Sequence, residues 1–186
     1  MKTKVEATIE DLYRVPGNAK AELVNGEIVL MPPTGDSPSR AGFHIGRSLF
    51  DYEQLTGLGR TFPDGTGFIV NLPHRRSFSP DVAFHMSRPP AGVVMRFVDG
   101  APIFAVEVRS ENDYGPAAEK AMAAKRADYF ATGAEVVWDV DLRSKDVVRV
   151  YRQGNPDQPT IYGRGEMAEA EPALPGWTMP VDDLFL

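Results

Sequence analysis

Three acids and bases stand where a buried chain should carry none. They are Asp81 in Ser79-Pro80-Asp81, Glu107 in the run Ile103 to Ser110 (IFAVEVRS), and Lys125 in the segment Ala117 to Thr132. IFAVEVRS is almost unbroken apolar sequence that abruptly carries a glutamate and an arginine. Such a run reads as a strand buried on both faces, where a charge is costly unless it is paired or bound to a metal. Strand alternation puts Ile103, Ala105, Glu107 and Arg109 on one face and Phe104, Val106 and Val108 on the other. Asp81 interrupts a second apolar run, Ser79 to Phe84, in the same way. Two buried-looking carboxylates on two strands point to a divalent cation between them. Lys125 adds a third group. At helical spacing Ala118, Met122, Lys125 and Tyr129 fall within about 60° of one another, so the lysine sits in the stripe that should face the sheet carrying Glu107. It either snorkels off the core or pairs with those carboxylates.

The flanking elements must position these groups. Thr8 followed by Ile9-Glu10-Asp11 predicts a capped short helix, stopped by Pro16-Gly17. In AELVNGEIVLMPP, Asn25-Gly26 between two apolar runs predicts a hairpin, with Glu22 as an acid at the start of its first strand. Pro32 to Pro38 reads as a flexible loop or lid. A helix is expected from about Ser39 to Thr56, closed by Gly57. Its apolar stripe is Ile45, Leu49 and Tyr52, with His44, Arg47, Ser48 and Asp51 on another face. Strands are expected over 59–70 and 77–84, joined by a loop carrying Arg75 and Arg76, then a loop-rich connection from Met86 to Gly100 that contains Pro89-Pro90. After IFAVEVRS comes the helix from Ala117 to Thr132, closed by Gly133. A strand over 135–141 follows and turns back as a hairpin into DVVRVYR. The strand–helix–strand order around Glu107 predicts a crossover between parallel strands. QGNPDQP reads as a loop, with a strand near Thr160 to Tyr162 and a closing VDDLF segment. Trp138 and Trp177 read as packing aromatics.

The chain has 186 residues, enough for one domain with a real core, and the expectation is a single domain over 1–186. Its formal net charge of −6 argues against a constitutive, high-affinity nucleic-acid binder but not against an enzyme with a local basic patch. It contains no cysteine, which removes disulfides, thiolate metal sites and thiol chemistry. MKTKVEATIEDLY lacks the apolar core of a signal peptide and no stretch approaches a membrane span, so a cytoplasmic protein with no membrane partner is expected.

Asp81, Glu107-Val108-Arg109 and a helical Lys125 resemble the motif of the PD-(D/E)XK nuclease superfamily, with Pro80-Asp81 as its first element and Arg109 where its usual lysine stands. The wider pattern is sharper. AELVNGEIVLMPP, His44 followed by Leu49, SPDVAF, AVEVRS, KRADYFATGAEVVWDVD and LPGWTMPVDDLF together are similar to the Uma-two family of restriction-endonuclease-like proteins, from about Thr8 to Leu186. This resemblance implies an α/β (α+β) fold with a restriction-endonuclease-like core. That core is a mixed central β-sheet flanked by helices, with an N-terminal hairpin, C-terminal strands and the acids meeting at one sheet end. It implies that Glu22, Asp81 and Glu107 are acids of the site and that Lys125 is the motif lysine moved from strand to helix. Asp81, Glu107 and the main-chain carbonyl of Val108 would hold Mg²⁺, or Mn²⁺ in its place. Glu22 would ligate a metal or accept a hydrogen bond from the attacking water. A guanidinium cannot serve as a general base, so Arg109 would pair with an acid or bind phosphate. His44, Arg75 and Arg76 are the other candidates for phosphate contact. After Ser110 the chain reads Glu111-Asn112-Asp113 where the family more often has Pro-Ser-Asp, a change in the loop and not in the acids.

Three functions remain open on sequence. The first is a metal-dependent endonuclease hydrolysing phosphodiester bonds in nucleic acid, DNA before RNA. The second is a catalytically inactive relative that keeps the fold as a binding or regulatory module. The third is a purely structural ion-pair network of Glu107, Arg109 and Lys125. Exposed hairpin edges make a homodimer a further expectation.

Overall fold

The computed structural model describes residues 6–88 and 90–186. The first five residues of MKTKVEATIEDLY, and Pro89 of the Pro89-Pro90 pair, lie outside the described residues. Helix α1 (Ile9–Leu12) starts at Thr8, whose backbone N–H donates to Asp11 Oδ2 at 2.8 Å and whose hydroxyl donates to the same oxygen at 2.7 Å. Strands β1 (Ala21–Val24) and β2 (Glu27–Leu30) form the expected hairpin. Asn25 and Gly26 both take the positive φ that its turn requires.

Helix α2 (Asp36–Thr56) begins three residues before the expected start, so the end of the anticipated lid loop is helical. Pro38 falls in the first turn, where its missing N–H costs nothing. Its buried side is Ala41, Ile45, Leu49 and Tyr52. The strand expected over 59–70 is broken into β3 (Arg60–Pro63) and β4 (Phe68–Ile69). The strand expected over 77–84 is likewise two, β5 (Ser77–Phe78) and β6 (Val82–His85), which belong to different sheets. Pro80 offers no N–H to a ladder, so the chain bends there, and Asp81 stands at the entry to β6 instead of inside a strand. A short β7 (Val98–Asp99) lies in the connection read as loop. Next come β8 (Phe104–Val108), α3 (Pro116–Ala131), β9 (Val136–Val140) and β10 (Val148–Arg152). Asn155–Tyr162 is one strand, β11, where a loop was expected for its first half. It is the sheet's edge, so Pro156 and Pro159 are tolerated. β12 (Met167–Glu169) and β13 (Thr178–Pro180) pair with each other, and Val181–Phe185 closes as a 3₁₀ turn.

The main sheet is mixed and six-stranded, in the order β11-β10-β9-β8-β6-β3. Only β8 and β9 are parallel, as the crossover through α3 requires. One face carries Phe104, Val106, Val108 and Trp138 against α2 and the C-terminal segment with Trp177. The other carries Ala83, Ala105 and Val137 against Tyr129 and Phe130 of α3, together with Phe68 and Phe78 of the small sheet β5-β4-β7. The observed alternation of β8 is therefore the one read from its sequence.

Two glycines beside α2 share a positive φ, 67° at Gly57 and 55° at Gly59, and differ in the space around them. Gly57 caps the helix at φ 67° with open space around it, whereas a Cβ at Gly59 would lie 2.4 Å from Phe84 and 2.7 Å from the His85 carbonyl oxygen. Gly57→Ala is expected to cost about 1 kcal/mol and Gly59→Ala roughly 3 kcal/mol. Urea denaturation checks the order.

Candidate active site

The β6–β8 register pairs Val82 with Val106, which brings Asp81 alongside Glu107. The Asp81 N–H donates to the Val106 carbonyl at 3.1 Å, and Asp81 Oδ2 in turn accepts the Val108 N–H at 2.7 Å. The carboxylate is thus tied to the strand end that carries Glu107 and Val108. All three residues line a cavity of about 490 Å³. Glu107 leaves the sheet on the α3 side, where Lys125 Nζ meets its Oε1 at 2.9 Å and the Tyr129 hydroxyl donates to the same oxygen at 2.6 Å. Both contacts fall on Oε1, and Oε2 takes neither.

Glu22 arrives by another route. The hairpin is joined to the segment before β5 by a bridge between Val24 and Arg75, and the Leu23 N–H donates to Ser77 Oγ at 2.8 Å. This docking buries Glu22, which is 3% exposed. Its Oε1 accepts from Lys125 Nζ and from the Ser79 N–H, both at 2.9 Å, and its Oε2 accepts from Arg75 Nη1 at 2.5 Å. Both Glu22 oxygens are thus engaged by groups of the protein itself. The carboxylate orients Lys125, which bridges Glu22 and Glu107.

Electrostatics follow from this packing. Burial pushes the Lys125 ammonium down, but Glu107 and Glu22 outweigh it and hold the group above the ordinary lysine value. It stays charged at neutral pH and cannot act as a general base. Burial pushes Glu22 up, yet Lys125, Arg75 and the Ser79 N–H together bring it below the usual carboxylate range. At Glu107 burial prevails: Lys125 opposes it, but Asp81 and Glu22 reinforce it, and the carboxyl ends above its ordinary value.

Lys20 completes the cluster and was not singled out in the sequence. Its ammonium lies 2.8 Å from Asp81 Oδ1 and 2.6 Å from Asp64 Oδ1. One signal could have found it: Lys20 precedes Glu22 by two residues, so extended chain puts both on one side. Counting outward, the carboxylates of Glu22, Asp64, Asp81, Glu107 and Asp128 share three basic partners, Lys20, Arg75 and Lys125. The His74 ring also meets Asp128, at 2.7 Å; leaving that ring out of the count, five carboxylates face three basic side chains.

The candidate phosphate contacts are placed elsewhere or already engaged. Arg75 is buried between Glu22 and Asp128. Arg76 is exposed and His44 sits beside Arg40 at 3.2 Å; neither lines the cavity. Arg109 is buried, donating from Nε and Nη2 to Asp139 at 2.7 Å each and from Nη1 to Glu119. Its hydrogen-bonding edges are occupied, which is the acid-pairing role foreseen for it as the alternative to phosphate binding. Arg109→Ala would leave Asp139 buried with only Arg126, 3.7 Å away. It is expected to lower stability by about 3 kcal/mol, with much of the loss recovered in Arg109→Met/Asp139→Leu. Chemical denaturation of the single and double variants measures this, and metal affinity should be unaltered.

Among the described residues no three His, Cys, Asp or Glu side chains converge as a ready metal cage, and no helix is long and apolar enough to cross a membrane. No curated protein matches the chain. A crystal structure of a "putative nuclease belonging to DUF820" from Anabaena variabilis is similar to it, with a TM-score of 0.75 at 17% identity, over 96% of this chain and 97% of that one. At that identity the likeness establishes the fold, a mixed sheet flanked by helices. A family model described as "Putative restriction endonuclease" matches residues 8–182, and the chain belongs to that family, Uma2.

Proposed function

We propose that this protein is a metal-dependent endonuclease that hydrolyses phosphodiester bonds in nucleic acid, with DNA its substrate before RNA and residues 1–186 acting as one domain. The observation that carries this reading is the convergence of Asp81, Glu107 and Lys125 on one cavity, with Lys125 2.9 Å from Glu107. The family's description supports the reaction class and favours DNA.

The residues present suit a hard divalent cation such as Mg²⁺, with Mn²⁺ as a substitute. The donors are oxygens, and the Asp81 and Glu107 carboxylates stand side by side on the cavity wall. Asp81, Glu107 and the Val108 carbonyl would hold the ion. Two carboxylates and one carbonyl form too small a set for an all-protein cage, which agrees with the reluctance of Mg²⁺ to shed its waters. When bound, the ion would polarise the scissile phosphate and lower the pKa of a coordinated water.

The chain's own side chains do the rest. Lys125, fixed as an ammonium by Glu22, faces the charge that develops on the phosphate and carries the role that Arg109 cannot. Tyr129, whose hydroxyl is held well above its ordinary pKa mainly by burial and then by Glu107, remains a neutral donor that fixes Glu107 Oε1. Lys20 pairs with Asp81 and would be displaced towards Asp64 or a phosphate when a cation binds.

Calorimetry with Mn²⁺ and Mg²⁺ tests the reading. Millimolar or tighter binding is expected, lost in Asp81→Ala and Glu107→Ala; binding that survives both substitutions, or no binding by the wild type, would sink it. Lys125→Ala should cut cleavage of a plasmid by roughly 100-fold or more without weakening metal binding. Equal losses in both would make Lys125 a structural partner of the carboxylates and favour the inactive-module reading. Lys20→Met, which removes a competing cation from Asp81, should tighten metal binding several-fold.

A further inference from the structure

A second cavity, of about 460 Å³, adjoins the first and shares Asp81 and Thr34 with it. One wall is helix α2, where Gly42, Phe43, Gly46, Arg47 and Phe50 recur every three or four residues and so form a single stripe. A Cβ added at Gly42 or Gly46 would stand 3.8 Å from Val82, so this stretch of α2 lies directly over the first residue of β6, next to Asp81. Phe43 and Phe50 are 60% and 51% exposed, two helical turns apart, with an exposed Arg47 between them. The Phe43 ring meets its helix neighbours Arg40 and His44.

Exposed aromatic rings beside a concave polar site mark a ligand surface. Aromatic faces interleaved with a guanidinium are the means by which proteins hold unpaired bases without reading their sequence. Position selects the occupant. A strand whose phosphate lies between Asp81 and Glu107 has its next nucleotide beside this groove, because Asp81 borders both cavities. We propose that the groove along α2 binds the unpaired nucleotide adjacent to the scissile phosphate, its base stacked on Phe43 or Phe50 and its phosphate paired with Arg47. This rests on the nuclease reading and sharpens its substrate class. A base inside a duplex is stacked on both faces and cannot enter such a groove, so the substrate is single-stranded, or a duplex opened at the cleavage position.

Fluorescence anisotropy with a short labelled single strand, in Ca²⁺ to permit binding, tests the proposal on the full chain. Phe43→Ala/Phe50→Ala should weaken binding by roughly tenfold or more, whereas Phe43→Trp/Phe50→Trp, which keeps the rings, should retain it. Arg47→Gln should reduce the slope of log affinity against log salt by about 0.7. Calorimetric metal binding should be the same in all these variants, since none of the altered side chains is among the residues that would hold the ion. If the wild type binds single strands and the alanine pair binds equally well, the groove assignment is overturned while the nuclease reading stands. If the alanine pair instead turns a dimer into a monomer in sedimentation with unchanged strand affinity, the face belongs to a second copy and the proposal again fails. Absence of nucleic-acid binding by the wild type overturns both this proposal and the function on which it rests.

Discussion

An ammonium held between two carboxylates ties the separate parts of this molecule together. Lys125 comes from α3, Glu107 from the central strand β8 and Glu22 from the N-terminal hairpin. Arg75 extends the chain of charges from Glu22 to Asp128, back on α3. None of these contacts is worth much as an isolated pair, because burial of the ions offsets most of the attraction. Their force is conditional. Once α3 has covered the sheet, an unpartnered Lys125 or Glu107 would be very costly, and the hairpin supplies the missing partner only in the register that brings Glu22 to them. Apolar burial alone would tolerate several dockings of the hairpin; the ion cluster tolerates one.

A second ion cluster lies under the same helix and serves as its contrast. Arg109 and Arg126 face Asp139 and Glu119, two bases against two acids. That set is balanced. The cluster around Lys125 is short of positive charge, and both sets border the same cavity. This difference in balance, more than proximity, separates the group that joins strand to helix from the group suited to receiving a cation. It also explains how a chain with arginine at the motif's strand position can retain a lysine beside its acids: the two cations have divided the work between two clusters.

Most of the architecture was legible where periodicity decides it. The alternation in Phe104–Val108, the stripe of α2 and the Asn25-Gly26 turn each fix a face or a turn through local geometry, and the structure follows them. Misreadings came where one residue's backbone outvoted the apolar pattern. Pro80 split a continuous apolar run into strands of two sheets, Pro38 entered a helix because the first turn needs no N–H from it, and Pro156 and Pro159 sit in an edge strand. The site was legible in part. Asp81, Glu107 and Lys125 announce themselves as charges in apolar surroundings, but Lys20 and Asp64 lie in polar stretches that look like ordinary surface. Only the tertiary approach of the hairpin to the turn after β3 gives those two residues a partner.

The central claim is that Asp81 and Glu107 form an incomplete cation site occupied from outside by two lysines. A crystal structure grown with Mn²⁺, with data collected at an energy that makes manganese scatter anomalously, tests it most directly. One anomalous peak is expected within coordination distance of oxygens of Asp81, Glu107 and the Val108 carbonyl. Lys20 should have moved off Asp81, and Lys125 should still be held by Glu22. A map with no peak there, with Lys20 still on Asp81 and Lys125 still on Glu107, is the opposite result.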